Sequence, residues 1–181
     1  MYTNHIKKTI ALLSLLLCLS TPRVLYAQDA PPPSYLTQQD FPDSVARLTL
    51  QSSAGDQVTL AEVVKAHRGN KVVLDFWASW CKDCLVGFPT LDQLMTQTQS
   101  QGVDYVLISL DKKERKWKAA IKRFNIRGEH YRIAEGWKNA LSNYVELDWI
   151  PRYLVLDERG RMMLPKAITA DDEALRKSLL E

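Results

Sequence analysis

Two cysteines, Cys81 and Cys84, stand three residues apart in a 181-residue chain whose only other cysteine is Cys18. Side chains three apart on a helix share a face, with Cβ atoms about 5–6 Å apart. A disulfide accepts Cα separations of roughly 4.4–6.8 Å. The pair can therefore close and open a bond with little backbone motion. Lys71–Trp77, just ahead of it, reads as a strand, and a helix follows from about Cys81. That order sets Cys81 in the first turn of the helix, where unpaired N–H groups and the helix dipole favour an anion. Cys81 is thus the expected attacking thiolate, with a lowered pKa. Cys84, one turn deeper, is the expected shielded, resolving thiol.

Other uses of the pair fit less well. Structural zinc usually takes four ligands, and residues 28–181 add only His67 and His130 to the two cysteines. A purely structural disulfide over so short a loop would gain little entropy. Two-electron thiol chemistry is the reading the pair favours. Holding Cu(I) between two thiolates without turnover, or serving as a chaperone module, is the alternative from another class. No metal and no cofactor besides the Cys81–Cys84 disulfide is expected.

The elements that must position the pair can be read from periodicity. Lys71–Trp77 is β-branched, aromatic and apolar on both faces, as a buried central strand should be, with Asp75 interrupting it. The helix after it runs to about Thr98 with Pro89 inside it as an expected kink. Before them, Ala46–Gln51 and Gln57–Leu60 read as a hairpin around Ser52–Asp56, followed by a short helix at Ala61–His67. After them come a second buried strand at Val103–Leu110 and a helix over Lys113–Phe124 with Trp117, Ala120, Ile121 and Phe124 on one face. A short strand at Tyr131–Ala134, a helix at Trp137–Tyr144, two strands at Tyr153–Asp157 and Arg161–Leu164, and a helix at Asp171–Leu180 complete the chain. Helix-separated strands first and a hairpin last predict an α/β domain, a mixed central sheet with helices on both faces.

The N-terminal 27 residues differ from the rest. Lys7 and Lys8 lead an apolar run, Ile10–Leu19, that is too short for the roughly 20 residues a membrane span needs. This is the pattern of an export signal, residues 1–27, cut after Ala27. Lipid attachment at Cys18 and an uncleaved anchor are the alternatives. Residues 28–41, with three consecutive prolines, read as a linker to a domain at 42–181. The chain has 24 basic and 21 acidic residues, and three of the basic ones, with no acidic one, fall in the first 27. The remainder is formally neutral, which argues against a nucleic-acid partner. Lys112, Lys113, Arg115, Lys116 and Lys118, interspersed with Asp111 and Glu114, read as a solvated helix face.

VVLDFWASWCKDC, Pro89 five residues after Cys84, and WIPRYLVLDERG at Trp149–Gly160 resemble the thioredoxin-like superfamily, specifically its exported TlpA/ResA-type thiol-disulfide oxidoreductases. The segment Asp104–Ile126 resembles the extra strand-helix unit of that branch, and the first hairpin its N-terminal extension. The resemblance implies an extracytoplasmic, periplasmic enzyme acting on protein disulfides and dithiols, most simply as a reductant re-reduced by a membrane-bound donor, and a monomer. An oxidant or isomerase is the alternative within the same chemistry. It also implies roles. Asp75 would be a buried carboxylate of raised pKa relaying the proton of Cys84. Pro151 would be cis, holding Ile150 to pair with an extended substrate segment. Trp80 would line the rim, whereas Trp77, Trp117, Trp137 and Trp149 would be core or half-buried. Lys82 and Asp83 would tune the pair in opposite directions. Two positions depart from the family. Gly87, two before the helix proline, stands where members thought to serve cytochrome c maturation carry Glu; it would relieve crowding or admit a partner. Arg152, where thioredoxins usually have Thr, would mark a different partner surface.

Overall fold

A computed structural model describes residues 40–180. The expected signal segment 1–27, Cys18, and all but the last two residues of the expected linker lie outside the described residues. Seven strands form one sheet in the order β2-β1-β5-β4-β3-β6-β7: β1 Thr49–Ser52, β2 Gln57–Thr59, β3 Lys71–Trp77, β4 Val103–Ser109, β5 Glu129–Arg132, β6 Arg152–Leu156 and β7 Met162–Ala167. Among the described residues six α-helices accompany it: α1 Asp43–Ala46, α2 Leu60–Ala66, α3 Lys82–Thr98, α4 Glu114–Phe124, α5 Ala140–Tyr144 and α6 Glu173–Leu180.

The mixed character of the sheet follows from the connections. Helical crossovers make β3, β4 and β5 parallel neighbours, whereas β6 runs antiparallel to β3, and β7 to β6. The first hairpin joins the same sheet, with β1 antiparallel to β5 through Gln51–Arg132 and Ser52–Tyr131. Since side chains alternate along a strand, Asp75 and Trp77 of β3 point to one face, where Trp77 packs edge-on against Phe88 of α3. Arg152, paired with Phe76, points to the other, where it reaches the carbonyl of Val145 at the end of α5. Helices thus cover both faces, as expected. Phe76, Trp77, Trp117 and Tyr153 are all but fully buried. Each such side chain contributes roughly 1.5–3 kcal/mol of transfer free energy.

Most differences from the expected elements have local causes. The first strand starts at Thr49 because Asp43–Ala46 forms a helical turn, with the Val45 and Ala46 N–H groups donating to the carbonyl of Pro42, and this buries Val45. Asn139 starts α5 by accepting from the Ser142 N–H, so Trp137 stays in the preceding loop. The edge strand β7 continues to Ala167 through Pro165, where a register shift removes the need for a ladder donor. On α4, Trp117 and Ala120 are buried but Phe124 is half-exposed under the guanidinium of Arg123. The left-handed Asn125, φ 47°, ends the helix there and turns Ile126 into the core in its place.

Gly128 shows how tightly β5 is set against the sheet. Its φ is +107°, and a Cβ there would lie 2.4 Å from Leu107 Cδ1 and 3.0 Å from the carbonyl oxygen of Tyr105. Gly128→Ala is expected to destabilise the fold by about 1–3 kcal/mol, from overpacking and an unfavourable φ together. A lowered urea midpoint at unchanged slope checks it; an unchanged midpoint would refute the close packing.

Candidate active site

The buried strand β3 delivers the chain to a tight turn, Ala78–Trp80, and α3 begins immediately after it. Cys81 is the N-cap residue: its N–H donates to the Ala78 carbonyl, and its Sγ accepts from the Cys84 N–H at 3.0 Å. The two cysteines form a disulfide, with 5.3 Å between their Cα atoms, inside the range helical spacing predicts. Cys81 retains slight exposure and Cys84 almost none. The cap gives Cys81 Sγ one backbone donor, the Cys84 N–H.

The turn is held from below by Asp111, expected from the charge pattern to lie on a solvated face. Asp111, directly after β4, is buried and accepts hydrogen bonds from the Ser79 N–H and Oγ, both at 2.6 Å, and from Ser109 Oγ at 2.9 Å. Its position after the run Val103–Leu110 was the available signal.

On the opposite side stands the loop before β6. The Ile150–Pro151 peptide is cis, and the Ile150 carbonyl oxygen lies 3.5 Å from Cys81 Sγ. Ile150 and Pro151 are buried, while Trp149, expected to be core or half-buried, is 58 % exposed. Trp80 is 59 % exposed on the rim, where it was expected, and lies 6.5 Å from the Trp137 ring. A cavity of about 350 Å³ opens between Trp80, Trp137 and Trp149, with Cys81 and Ile150 in its wall and Lys82 and Asp83 at its edge.

Arg152 is not a surface residue. It is fully buried, and its guanidinium donates to the Val145 carbonyl and to Asp148, whose carboxylate also accepts from Lys166. It ties down the loop that carries Trp149 and Ile150. Gly87 relieves no crowding, since a Cβ there would meet nothing within 4 Å. It lines a separate cavity of about 380 Å³ with Val86, Trp149, Pro151 and Ile168.

Asp75 lies on the face of β3 that α3 covers, paired in register with Tyr153 and Leu107. It is buried, and neither carboxylate oxygen has a hydrogen-bond partner in the protein. Burial without compensation pushes its pKa up to about 8. The two histidines considered as metal ligands are engaged elsewhere: His67 bonds Asp104, and His130 bonds the Ile126 carbonyl and packs against Trp77. Among the described residues no group of three metal-binding side chains is assembled.

Comparison with known proteins agrees with this geometry. The sequence pattern of the thioredoxin-like family matches residues 69–162, about half of the chain. The thiol-disulfide oxidoreductase ResA of Bacillus cereus is 22 % identical over 100 residues, 55 % of this chain and 56 % of that protein. The ResA of Geobacillus thermodenitrificans is 25 % identical over 96 residues, 53 % of each. The chain thus spans about half the length of the curated relatives it matches. Among solved structures, a thiol-disulfide oxidoreductase from Bacteroides fragilis superposes with a TM-score of 0.62 at 22 % identity, over 76 % of this chain and 98 % of that one. That likeness bears on the fold, which is the thioredoxin-like one expected from the sequence.

The buried Asp75 gives stability a definite pH dependence. Its folded pKa lies above the ordinary value of 3.8, so the folded chain holds a proton that the unfolded chain has released. The contribution is therefore intact below about pH 4 and is lost as pH rises to about 8, by at most about 1.4 kcal/mol per pH unit. Asp75→Asn is expected to flatten that slope and raise the denaturant midpoint at pH 8. An unchanged slope would place the titration elsewhere.

Proposed function

The chain belongs to the thioredoxin-like family, and we propose that it is an extracytoplasmic thiol-disulfide oxidoreductase that reduces disulfides of exported proteins. The observation that carries this reading is the redox pair itself: Cys81 capping α3, bonded to Cys84, and facing the Ile150–Pro151 peptide at 3.5 Å. The basic and apolar order of residues 1–27 supports export, and disulfides persist in the compartments that export reaches.

In the reduced protein the Cys81 thiolate attacks one sulfur of a client disulfide. The client's S–S bond breaks, its second sulfur leaves as a thiolate, and Cys81 is joined to the client in a mixed disulfide. Cys84 then loses its proton and attacks Cys81 Sγ, forming the Cys81–Cys84 bond and releasing the client's other thiol. The client gains two electrons and the protein's dithiol loses them. Asp75 is the group proposed to take the proton of Cys84: a carboxyl poised near pH 8 exchanges a proton near neutrality with little driving force either way. Ile150 and Pro151 present backbone to an extended client segment, and Trp80 packs on its side chains. A membrane-bound dithiol donor returns the two electrons.

Cys81→Ser is expected to abolish insulin reduction, and Cys84→Ser to accumulate a mixed disulfide with the client that mass spectrometry detects. Full activity in Cys81→Ser would exclude this chemistry. Equilibration with glutathione or dithiothreitol sets the direction: a potential near about −270 mV fits a reductant, whereas one near about −120 mV would make the protein an oxidant.

A further inference from the structure

We propose that the groove beside Cys81 selects client segments carrying acidic side chains a few residues from the reactive cysteine. The inference rests on the oxidoreductase reading and specifies its substrate class. The tilted pair Trp80 and Trp137 is shared by two cavities. One is the cavity that holds Cys81, Trp149 and Ile150. The other, about 250 Å³, is bounded by Lys112, Lys113 and Lys116 together with Asp111.

The second cavity presents positive charge to whatever crosses the tryptophans. All three lysines are exposed, and none makes an ion pair among the described residues. The one carboxylate in its wall, Asp111, faces inward and spends its oxygens on Ser79 and Ser109. These lysines are solvated, as expected, and the fold also sets them beside the ring pair that borders the cysteine.

The lysine-bearing backbone is also fixed in place. The buried Arg132 donates to the carbonyls of both Asp111 and Lys112. The stem of Lys112 lies over Gly136, where a Cβ would come within 3.1 Å of its Cγ and of the Leu110 carbonyl oxygen. Trp137 follows on a loop clamped by Asn139, which donates to the Gly136 carbonyl at 2.7 Å and to Ser142. Charged groups held on a rigid frame discriminate between partners better than mobile ones.

The occupant that matches this surface is an extended polypeptide. Its cysteine reaches Cys81, an apolar or aromatic side chain lies on Trp80 and Trp137, and an Asp or Glu meets the lysines. The two cavities meet at the Trp80–Trp137 pair, so an extended segment rising about 3.3 Å per residue passes from one to the other within a few residues. The charges on the cysteine side of the tryptophans are mixed: Lys82 opposes Asp83, and Asp148 is held by Arg152 and Lys166. Selection by charge therefore falls on the lysine side.

The test uses the pre-reduced protein and peptides with a single cysteine held as a mixed disulfide with 2-mercaptoethanol. An Asp, Ala or Lys pair is placed three residues before or after that cysteine, and single-turnover reduction rates are compared. The Asp peptide on one side is expected to react about tenfold faster than its Lys counterpart at low salt. The gap should narrow at about 0.5 M salt, where screening reaches only a few ångströms. K112E/K113E/K116E, shown by circular dichroism to be folded, is expected to reverse the order. Equal rates for Asp, Ala and Lys peptides in the wild type would overturn the proposal, as would an Asp preference that survives the triple reversal. If glutathione and insulin disulfides are reduced normally while the peptides show no charge preference, the docking proposal alone fails. If nothing is reduced, the oxidoreductase reading fails with it.

Discussion

The opening above the cysteine pair is set by two loops that approach to 3.5 Å, the turn that carries Cys81 and the loop that carries Ile150. Neither loop belongs to the sheet, and each is fixed by a buried charged side chain rooted in or beside a strand. Asp111, at the end of β4, gathers the backbone and hydroxyl of Ser79. Arg152, at the start of β6, grips the Val145 carbonyl and Asp148. A buried charge is costly unless its hydrogen bonds are met, so each loop can leave its place only by stranding a charge. This penalty holds the opening above the cysteines to one shape without adding apolar bulk that would fill it.

Asp75 shows the same physics with the opposite outcome. It sits in β3 with no partner for either oxygen, whereas Asp111, just after the neighbouring strand β4 and equally buried, accepts three hydrogen bonds. The unpartnered carboxyl is driven toward its neutral form. The fold tolerates that cost at one place, on the face of β3 that the cysteine helix covers. In the function proposed above, that cost is what poises Asp75 to take the proton of Cys84.

Local patterns made much of this legible in advance. The strand Lys71–Trp77 was read with its observed boundaries because its apolar run ends in a tight turn, and the cysteine spacing implied the bond geometry. What one sequence hid were properties that arise only when distant segments meet. Trp149 is no less apolar than Trp117, yet it is exposed because the loop before β6 turns it outward while α4 turns Trp117 inward. Arg152 looked like surface because arginine usually is; its burial requires the Val145–Asp148 loop to fold back over it. Gly87 invited an explanation by crowding that only the empty space around it could correct. Phe124 fell on the right helical face but one residue too close to a left-handed stop.

Outside its first 27 residues the chain carries equal numbers of acidic and basic side chains. Such a chain has no strong long-range field with which to attract one class of partner. At physiological ionic strength charges act over about 8 Å. Discrimination among the clients proposed above must therefore come from groups close to Cys81, and these are few: three partly or largely exposed tryptophans, the backbone of Ile150, and the charges at the margins of the groove. Tryptophan faces bind almost any apolar side chain, and backbone pairing is blind to sequence. For the proposed clients the charged margins are what remains to tell one from another, and the lysines beyond Trp80 and Trp137 are the margin whose charges no carboxylate among the described residues answers.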